Sequence, residues 1–466
     1  MPRSWLILPL SILYLVGLGR AGFLGPDEPR YASIGREMAQ SRDFVTPRLD
    51  GQPWFEKPPL LYWMVAGGRT LRLPDEWAAR LPVALASLAF LLFFFATLQR
   101  EFSPRIALAA TAILATSVGW LAYSSIAVTD LPMSAAFGAA MLIAMFDTRR
   151  SQGYVAGALL GLAMLAKGFV PLVLFVPLFA IARGKRLTML AGCVLVAAPW
   201  HLACLARNGE PFWRDYFWKQ HVERFFTPVL QHEQPFWFYL PVILAGIFPW
   251  TPLAGLLARR KTYDDSRVRF LIVWLIYALA FFSAAKNKLP GYVLPMLPAL
   301  TIVLAVGLEK SGKQVKWWLA ASVLMLAAVP MIAAGLPAAL LSGIRKAPMV
   351  LAPGLTFIVT AAAVWWLGWR EKTRLALIAT ITAAALCLFY LKIGIGPVLD
   401  RQVSVREFWR ANRANASNAC VDPNVRREWQ YGLNYYAGRA LPVCASEQQR
   451  PEIASRDGRL MISDRR

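Results

Sequence analysis

The chain is divided into long apolar blocks by short polar gaps, and this alternation limits its fold more than any other feature. Roughly thirteen blocks are about 16 to 22 residues long, near the length that a helix needs to cross a membrane. Hydrophobic residues make up 57% of the 466 residues and charged residues 17%, against about a quarter charged in soluble domains. The sequence therefore predicts an all-α protein that crosses the membrane many times. The predicted spans are 4–19, 80–98, 105–123, 130–146, 153–166, 168–182, 187–205, 237–257, 269–285, 291–308, 317–340, 350–369 and 374–391.

The net charge of +23 belongs mainly to the short gaps between these blocks. If the N-terminus is cytoplasmic, every short inner gap is basic, as the positive-inside rule requires. An odd number of spans then places the chain after residue 391 outside. No basic domain remains that could bind nucleic acid, so we expect no such partner. A cleaved signal peptide is a second interpretation of the first apolar block, but no typical cleavage site follows it.

Three polar segments are too long to be simple turns, and all three lie outside in this orientation: 20–79, 206–236 and 392–466. The first contains two short amphipathic patterns, which predict helices along the membrane surface. Residues 1–391 form the predicted membrane domain. Residues 392–466 form a predicted small α/β domain in the periplasm, where Cys420 and Cys444 could be joined because that compartment is oxidising.

Three carboxylates lie at the outer ends of predicted spans, where chemistry at the membrane surface would need them. Asp27 and Glu28 are adjacent, directly after the first span, and Asp130 opens the fourth. Such carboxylates can accept a proton from a hydroxyl or stabilise a positive charge that develops on a sugar. Acids at the start of a helix also stabilise its dipole, and this structural interpretation stays open for all three.

Cationic side chains occur on the same predicted face, and a phosphate group would need them there. The lysines among them also have a simpler interpretation, as surface ion pairs or as side chains that reach lipid headgroups. The candidates for binding a phosphate are Arg30, Lys57, Lys167, Arg224, Lys286 and Lys288, together with Tyr292 from the segment that follows the last two lysines.

The histidines suggest a divalent metal as a further hypothesis. His221 and His232 lie in the second outer segment, and Glu56 lies in the first. Imidazole and carboxylate groups bind several divalent metals. Histidines in such segments are also commonly structural, so both interpretations stay open.

Four motifs together resemble the bacterial GT-C glycosyltransferases of the aminoarabinose transferase type, which are related to protein O-mannosyltransferases. They are DEPRYASIGREM at 27–38, WFEKPPLLYWM at 54–64, LAKGF at 165–169 and KNKLPGYVLP at 286–295. The resemblance implies a polyprenyl-phosphate sugar donor, inversion at the sugar carbon, and a lipid, glycan or protein acceptor. It also implies that Asp27 is the main catalytic carboxylate, with Glu28 beside it and Asp130 as a second acid.

The resemblance further implies that Arg30 and Lys57 lie near the donor phosphate, and that the protein resides in the bacterial inner membrane. Pro29 and Gly291 depart from the family pattern, and the tail is short for a full aminoarabinose transferase. A transporter or flippase is the alternative function. Transporters usually place their ionisable groups near the middle of the membrane, whereas most candidates here lie at span ends, which favours an enzyme.

Overall fold

The computed structural model is mostly helical, and it describes residues 4–227, 233–343, 355–444, 451–456 and 458–463. Its α-helices are α1 Ser4–Leu15, α2 Asp27–Ser41, α3 Leu60–Thr70, α4 Asp75–Glu101, α5 Pro104–Ala115, α6 Val118–Tyr123, α7 Asp130–Phe146, α8 Gln152–Lys167, α9 Val170–Ile181, α10 Arg186–Phe212, α11 Arg224–Phe226, α12 Tyr239–Gly246, α13 Ser266–Ala284, α14 Leu297–Glu309, α15 Val315–Met325, α16 Val329–Ser342, α17 Leu355–Trp369, α18 Thr373–Gln402, α19 Arg406–Ala416 and α20 Arg427–Ala437.

Tighter and wider helical turns connect several of these helices. A π-helix follows α10, and six 3-10 segments lie at other junctions. The π-helix is Trp213–Glu223. The six 3-10 segments are Arg183–Lys185, Thr251–Ala258, Arg260–Tyr263, Pro290–Met296, Gly312–Gln314 and Leu326–Ala328. The strands are short: β1 Arg48–Leu49 and β2 Gln52–Pro53 form an antiparallel pair, while β3 Cys420–Val421 pairs in parallel with β4 Glu452–Arg456, which pairs antiparallel with β5 Arg459–Ser463.

The predicted multi-pass membrane protein is confirmed in its class, because long apolar helices dominate the described residues. Six of the described helical segments are long and apolar enough to cross a membrane, or seven if the bent pair Tyr239–Gly246 and Thr251–Ala258 is one span. The other predicted spans coincide with shorter helical segments, such as α1, α7 and α9. The count of thirteen crossings stays a prediction.

The polar segment 206–236 was expected to be an outer loop, and this prediction was wrong for its first half. α10 continues to Phe212, and helical turns follow to Phe226. The aromatic residues of the segment explain the difference. Phe212 and Tyr216 stack on each other with ring centroids 5.0 Å apart, and Trp200 packs edge-on against both. This buried aromatic packing stabilises helix where hydropathy alone suggested a loop.

The boundary predicted at residue 391 also differs from the structure, since α18 continues without a break to Gln402. Lys392 interrupts the apolar pattern of the sequence, which is why the span appeared to end there. Its ammonium donates to the carbonyl oxygens of Leu13 and Tyr14 of α1, at 3.1 Å and 2.8 Å. A lysine that satisfies the exposed carbonyls of a neighbouring helix can remain inside a helix.

The C-terminal residues after α18 form a second small core around Trp409, Trp429 and Leu433, which are buried apart from the main core. Cys420 and Cys444 form a disulfide in this region. Helix α20 packs against α2, and Tyr435 connects it with two elements. Its hydroxyl donates to Asp75 of α4 at 2.9 Å, and its carbonyl oxygen accepts from Arg36 of α2 at 2.7 Å. The tail therefore holds the helix that begins with Asp27.

Candidate active site

A cavity of 330 Å³ lies between the first polar segment and the aromatic helical segment after α10. Most of its wall is apolar, and its polar part carries three cations against one carboxylate. Such a combination can hold an anionic group together with a long apolar chain. The lining residues are Glu56, Lys57, Pro58, Met133, Lys167, Phe169, Val170, Val173, Tyr216, Gln220, His221, Arg224, Phe225, Phe226, Phe281, Phe282, Ala285, Asn287 and Tyr292.

Two acids and two bases from the first polar segment meet beside this cavity. The guanidinium of Arg30 contacts the carboxylate of Asp27 one helical turn earlier and lies 3.1 Å from that of Glu56. The ammonium of Lys57 is 3.6 Å from Glu56. Asp27 remains 45% exposed, whereas Arg30 is buried. The carboxylate of Asp27 is therefore held from one side and open on another.

A second ion pair comes from the membrane helices, and its lysine lines the cavity. Lys167, the last residue of α8, forms an ion pair with Asp130, the first residue of α7. The ammonium of Lys167 also lies 4.7 Å from the ring centroid of Tyr292, within range of a cation–π contact. A Cβ atom on residue 291 would clash with the carboxylate of Asp130, so Gly291 is what lets the two segments approach. This contact explains the glycine that departed from the family pattern.

Arg224 is the third cation of the lining, and it comes from the segment that was expected to be a loop. Its guanidinium donates to the hydroxyl of Tyr292 at 3.1 Å and to the side-chain oxygen of Gln220 at 3.1 Å. Neither partner carries a negative charge. Arg224 therefore keeps its full charge available to the cavity, while the helical turns after α10 fix its direction.

The electrostatic environment shifts the proton affinity of the groups in the first polar segment. Burial raises the pKa of Asp27 above its usual value, and the guanidinium of Arg30 offsets part of that rise. Burial lowers the pKa of Lys57 to about 8, and the charge of Arg224 adds to the decrease. Burial opposes ionisation of Glu56 too, but Lys57 and Arg30 outweigh it, and the pKa of Glu56 lies below its usual value. Asp27 is thus the better proton acceptor of the two acids.

Glu28 does not face the cavity, which corrects its assignment to the catalytic group. Its carboxylate accepts two hydrogen bonds from Arg80, at 2.7 Å and 2.8 Å, and further ones from the amides of Leu24 and Ala127. The side chain is 1% exposed. A carboxylate with this many donors and no access to solvent has a structural role, because nothing else can reach it.

The two lysines of the KNK motif were expected at the phosphate, but neither ammonium lines the cavity. Lys288 donates to the carbonyl oxygens of Ala285 and Gln234, at 2.6 Å and 3.1 Å, and so braces its own turn. Lys286 is exposed. Asn287, between them, lines the cavity instead. In an extended segment every second side chain points to the same side. This alternation could have identified Asn287 from the sequence.

His221, one of the three proposed metal ligands, is not free to bind a metal. The Nδ1 of His221 donates to the carbonyl oxygen of Tyr216 at 2.7 Å, and its Nε2 accepts from the amide of Phe169 at 3.2 Å. Both ring nitrogens are therefore used, and no lone pair remains for a cation. His232 lies outside the described residues. Within the part of the chain that the structure describes, no group of three His, Cys, Asp or Glu side chains could hold a metal ion.

Tyr431 is a neighbour of the site that the sequence did not indicate. Its ring lies 5.4 Å from the guanidinium of Arg30, although it belongs to α20 in the C-terminal region. The hydroxyl of Tyr431 accepts from Arg427 at 3.1 Å. No local pattern connects residues 30 and 431, so only the packing of α20 on α2 reveals this contact.

Sequence comparisons find one matching family model and several similar proteins. A family model described as dolichyl-phosphate-mannose-protein mannosyltransferase matches residues 56–206. An undecaprenyl phosphate-alpha-4-amino-4-deoxy-L-arabinose arabinosyl transferase of Pectobacterium carotovorum is 33% identical over 400 residues, or 79% of this chain and 70% of that protein. The protein of the same name from Serratia proteamaculans is 33% identical over 332 residues. This alignment covers 66% of this chain and 59% of the relative, so the chain matches about three fifths of that relative's length.

Solved structures share the fold. The crystal structure of ArnT from Cupriavidus metallidurans bound to undecaprenyl phosphate aligns with a TM-score of 0.78 at 22% identity, covering 96% of this chain and 87% of that one. The arabinosyltransferase EmbB from Mycobacterium smegmatis aligns with a TM-score of 0.53 at 14% identity, covering 94% of this chain and 42% of that one. The predicted all-α membrane architecture is therefore confirmed as the fold of these proteins.

Proposed function

This chain belongs to the family of the undecaprenyl-phosphate aminoarabinose transferases, as its motifs predicted, and we propose that it transfers a sugar from a polyprenyl-phosphate carrier to an acceptor hydroxyl. The observation that carries the proposal is the cavity, where Lys57, Lys167 and Arg224 line the same volume as a mostly apolar wall. A polyprenyl phosphate needs both features, a cationic binding site for its phosphate and an apolar groove for its chain. Asp27 lies beside that cationic site, next to Arg30.

The proposed reaction is one inverting displacement. The acceptor oxygen forms a bond to the anomeric carbon while the bond from that carbon to the phosphate oxygen breaks. The proton of the acceptor hydroxyl passes to Asp27, whose raised pKa suits a general base. The electron pair of the broken bond leaves with the polyprenyl phosphate, and the three cations stabilise the charge that it gains.

The other polar residues have supporting roles in this proposal. Asp130 holds Lys167 in place, and Tyr292 orients both Lys167 and Arg224. Glu56 keeps Lys57 and Arg30 together. The relatives' names give undecaprenyl phosphate as the carrier and 4-amino-4-deoxy-L-arabinose as the sugar, and we extend this carrier to the present chain. The acceptor is a lipid, a glycan or a protein that offers a hydroxyl.

We place the reaction at the periplasmic face of a bacterial inner membrane, with the N-terminus in the cytoplasm. The basic short gaps of the sequence support this orientation through the positive-inside rule. The disulfide between Cys420 and Cys444 supports it as well, since such bonds persist in oxidising compartments. In this orientation the C-terminal region and the cavity open to the same side.

The test is Asp27→Asn, with Asp215→Asn as its matched control. Asp215 also lies beside an arginine and is 44% exposed, but its partner Arg214 forms no ion pair with Glu56 of the cavity lining, as Arg30 does. With purified protein in proteoliposomes and an undecaprenyl-phosphate sugar, mass spectrometry should show about 10²- to 10⁴-fold slower product formation for Asp27→Asn. The Asp215→Asn variant should keep the wild-type rate.

Two outcomes would overturn the proposal. A folded Asp27→Asn variant that transfers sugar at the wild-type rate would remove Asp27 from the chemistry. Saturable movement of the lipid-linked sugar across the membrane, without any covalent product from the wild-type protein, would identify a flippase instead.

A further inference from the structure

A second groove, separate from the cavity, lies where the chain leaves α1, enters α4 and meets α19. Its volume is 350 Å³, and it is open to the surface. Its lining residues are Gly17, Gly19, Arg20, Pro74, Glu76, Trp77, Arg406 and Arg410, and none of them lines the first cavity.

The three arginines of the groove differ in how their charges are matched. Arg406 is neutralised, because it lies 2.6 Å from Asp400 and 3.2 Å from Glu76 and also donates to two carbonyl oxygens. Arg20 and Arg410 have no such compensation. Among the described residues, Arg20 donates only to the carbonyl oxygen of Ile393, at 3.1 Å, and Arg410 has neither a hydrogen bond nor an ion pair.

Trp77 adds a third unused donor to the same groove. Its indole nitrogen finds no acceptor among the described residues, although the ring is part of the groove wall. The groove therefore offers two uncompensated guanidinium groups and one N–H. A phosphate group suits this set, because its oxygens accept several hydrogen bonds and guanidinium groups bind them in pairs.

The position of the groove identifies the source of such a phosphate. Gly17 and Arg20 lie two and five residues after the end of α1, and Trp77 lies in the first turn of α4, which is long and apolar enough to span the membrane. Arginine and tryptophan at the ends of spans lie at the depth of lipid headgroups. We propose that this groove binds the phosphate of an anionic membrane phospholipid.

The test measures phosphatidylglycerol binding to the detergent-solubilised full chain by native mass spectrometry. Replacing both uncompensated arginines, Arg20→Gln with Arg410→Gln, should weaken binding at least about tenfold, as expected for the loss of charge-assisted hydrogen bonds. The matched control is Arg401→Gln with Arg413→Gln, which removes the same charge from α18 and α19 at exposed positions outside the groove. This control should bind as the wild type does.

Three results would overturn the proposal. Unchanged binding by the Arg20 and Arg410 double variant would show that the groove is not the lipid site. An equal loss in the control would reduce the effect to net charge. Displacement of the lipid by millimolar inorganic phosphate, with no dependence on the acyl chains, would make the groove a site for free phosphate. Thermal unfolding of both double variants shows whether they are folded, which we expect because all four side chains are exposed.

Discussion

Two clusters of charged side chains each include a residue of the first turn of α2, and they differ in how completely their charges are paired. The first cluster, the cavity charges, consists of Asp27, Glu56, Lys57, Lys167 and Arg224. These side chains are partly exposed, and those that line the cavity are three cations and one acid. The buried ion cluster consists of Glu28, Glu76, Arg80, Asp400 and Arg406, all of them at most 8% exposed in the side chain.

The buried ion cluster leaves almost nothing unpaired. Arg80 donates to Glu28 and to the carbonyl oxygens of Leu18, Ala21 and Gly22, while Asp400 accepts from the amide of Gly22. The connection between α1 and α2 is therefore fixed on both sides. The comparison teaches that full pairing of buried charges stabilises a fold, whereas charges left in excess beside an open volume are available to a ligand.

The largest expected effect comes from removing one charge of the buried ion cluster. Glu28→Gln leaves the buried guanidinium of Arg80 without a counter-charge, which should cost about 3–5 kcal/mol of the free energy of unfolding. We expect a clearly lower midpoint of thermal unfolding in detergent. Asp27→Asn, one residue away, should keep the wild-type midpoint, and equal midpoints for the two variants would contradict the separation of the clusters.

The second prediction concerns the pH dependence that Lys57 gives to the cavity charges. Because the pKa of Lys57 is lowered to about 8, its ammonium is present below that pH and loses its proton above it. The value of kcat/KM for the donor should therefore fall above pH 8, by up to about tenfold per pH unit. Lys57→Arg keeps its charge at all these pH values and should flatten the alkaline limb, while an unchanged limb in this variant would assign it to another group.

The smallest expected effect tests the contact that crosses from the C-terminal region to the site. Tyr431→Leu removes the ring beside Arg30, and the loss of a cation–π contact of about 0.5–2 kcal/mol should lower kcat by a few-fold to about thirtyfold at a similar KM. Tyr431→Phe keeps the ring and loses only the hydroxyl contact with Arg427, so it should stay near the wild-type rate. Equal losses in both variants would exclude a role through the ring.

Part of the site could be predicted from sequence, because it depends on short motifs with a local geometry. Asp27 and Arg30 are one helical turn apart, and Glu56 and Lys57 are adjacent. The spacing alone therefore predicts that each pair lies close together. Lys167 was identified as a candidate, but its partner Asp130 lies on another helix. Lys286 and Lys288 were expected at the phosphate, but neither lines the cavity. The tight turn that carries them directs Asn287 towards the cavity instead.

By itself, the sequence determined the membrane class and the helical character of the apolar blocks, and it predicts the orientation. These depend on the transfer of each side chain between water and lipid, which is a property of the residue and its close neighbours. Only the tertiary structure decided that Asp27 and Glu28 serve different clusters. Successive side chains of a helix point about 100° apart, so whether a carboxylate meets Arg80 or Arg30 depends on what packs against each face.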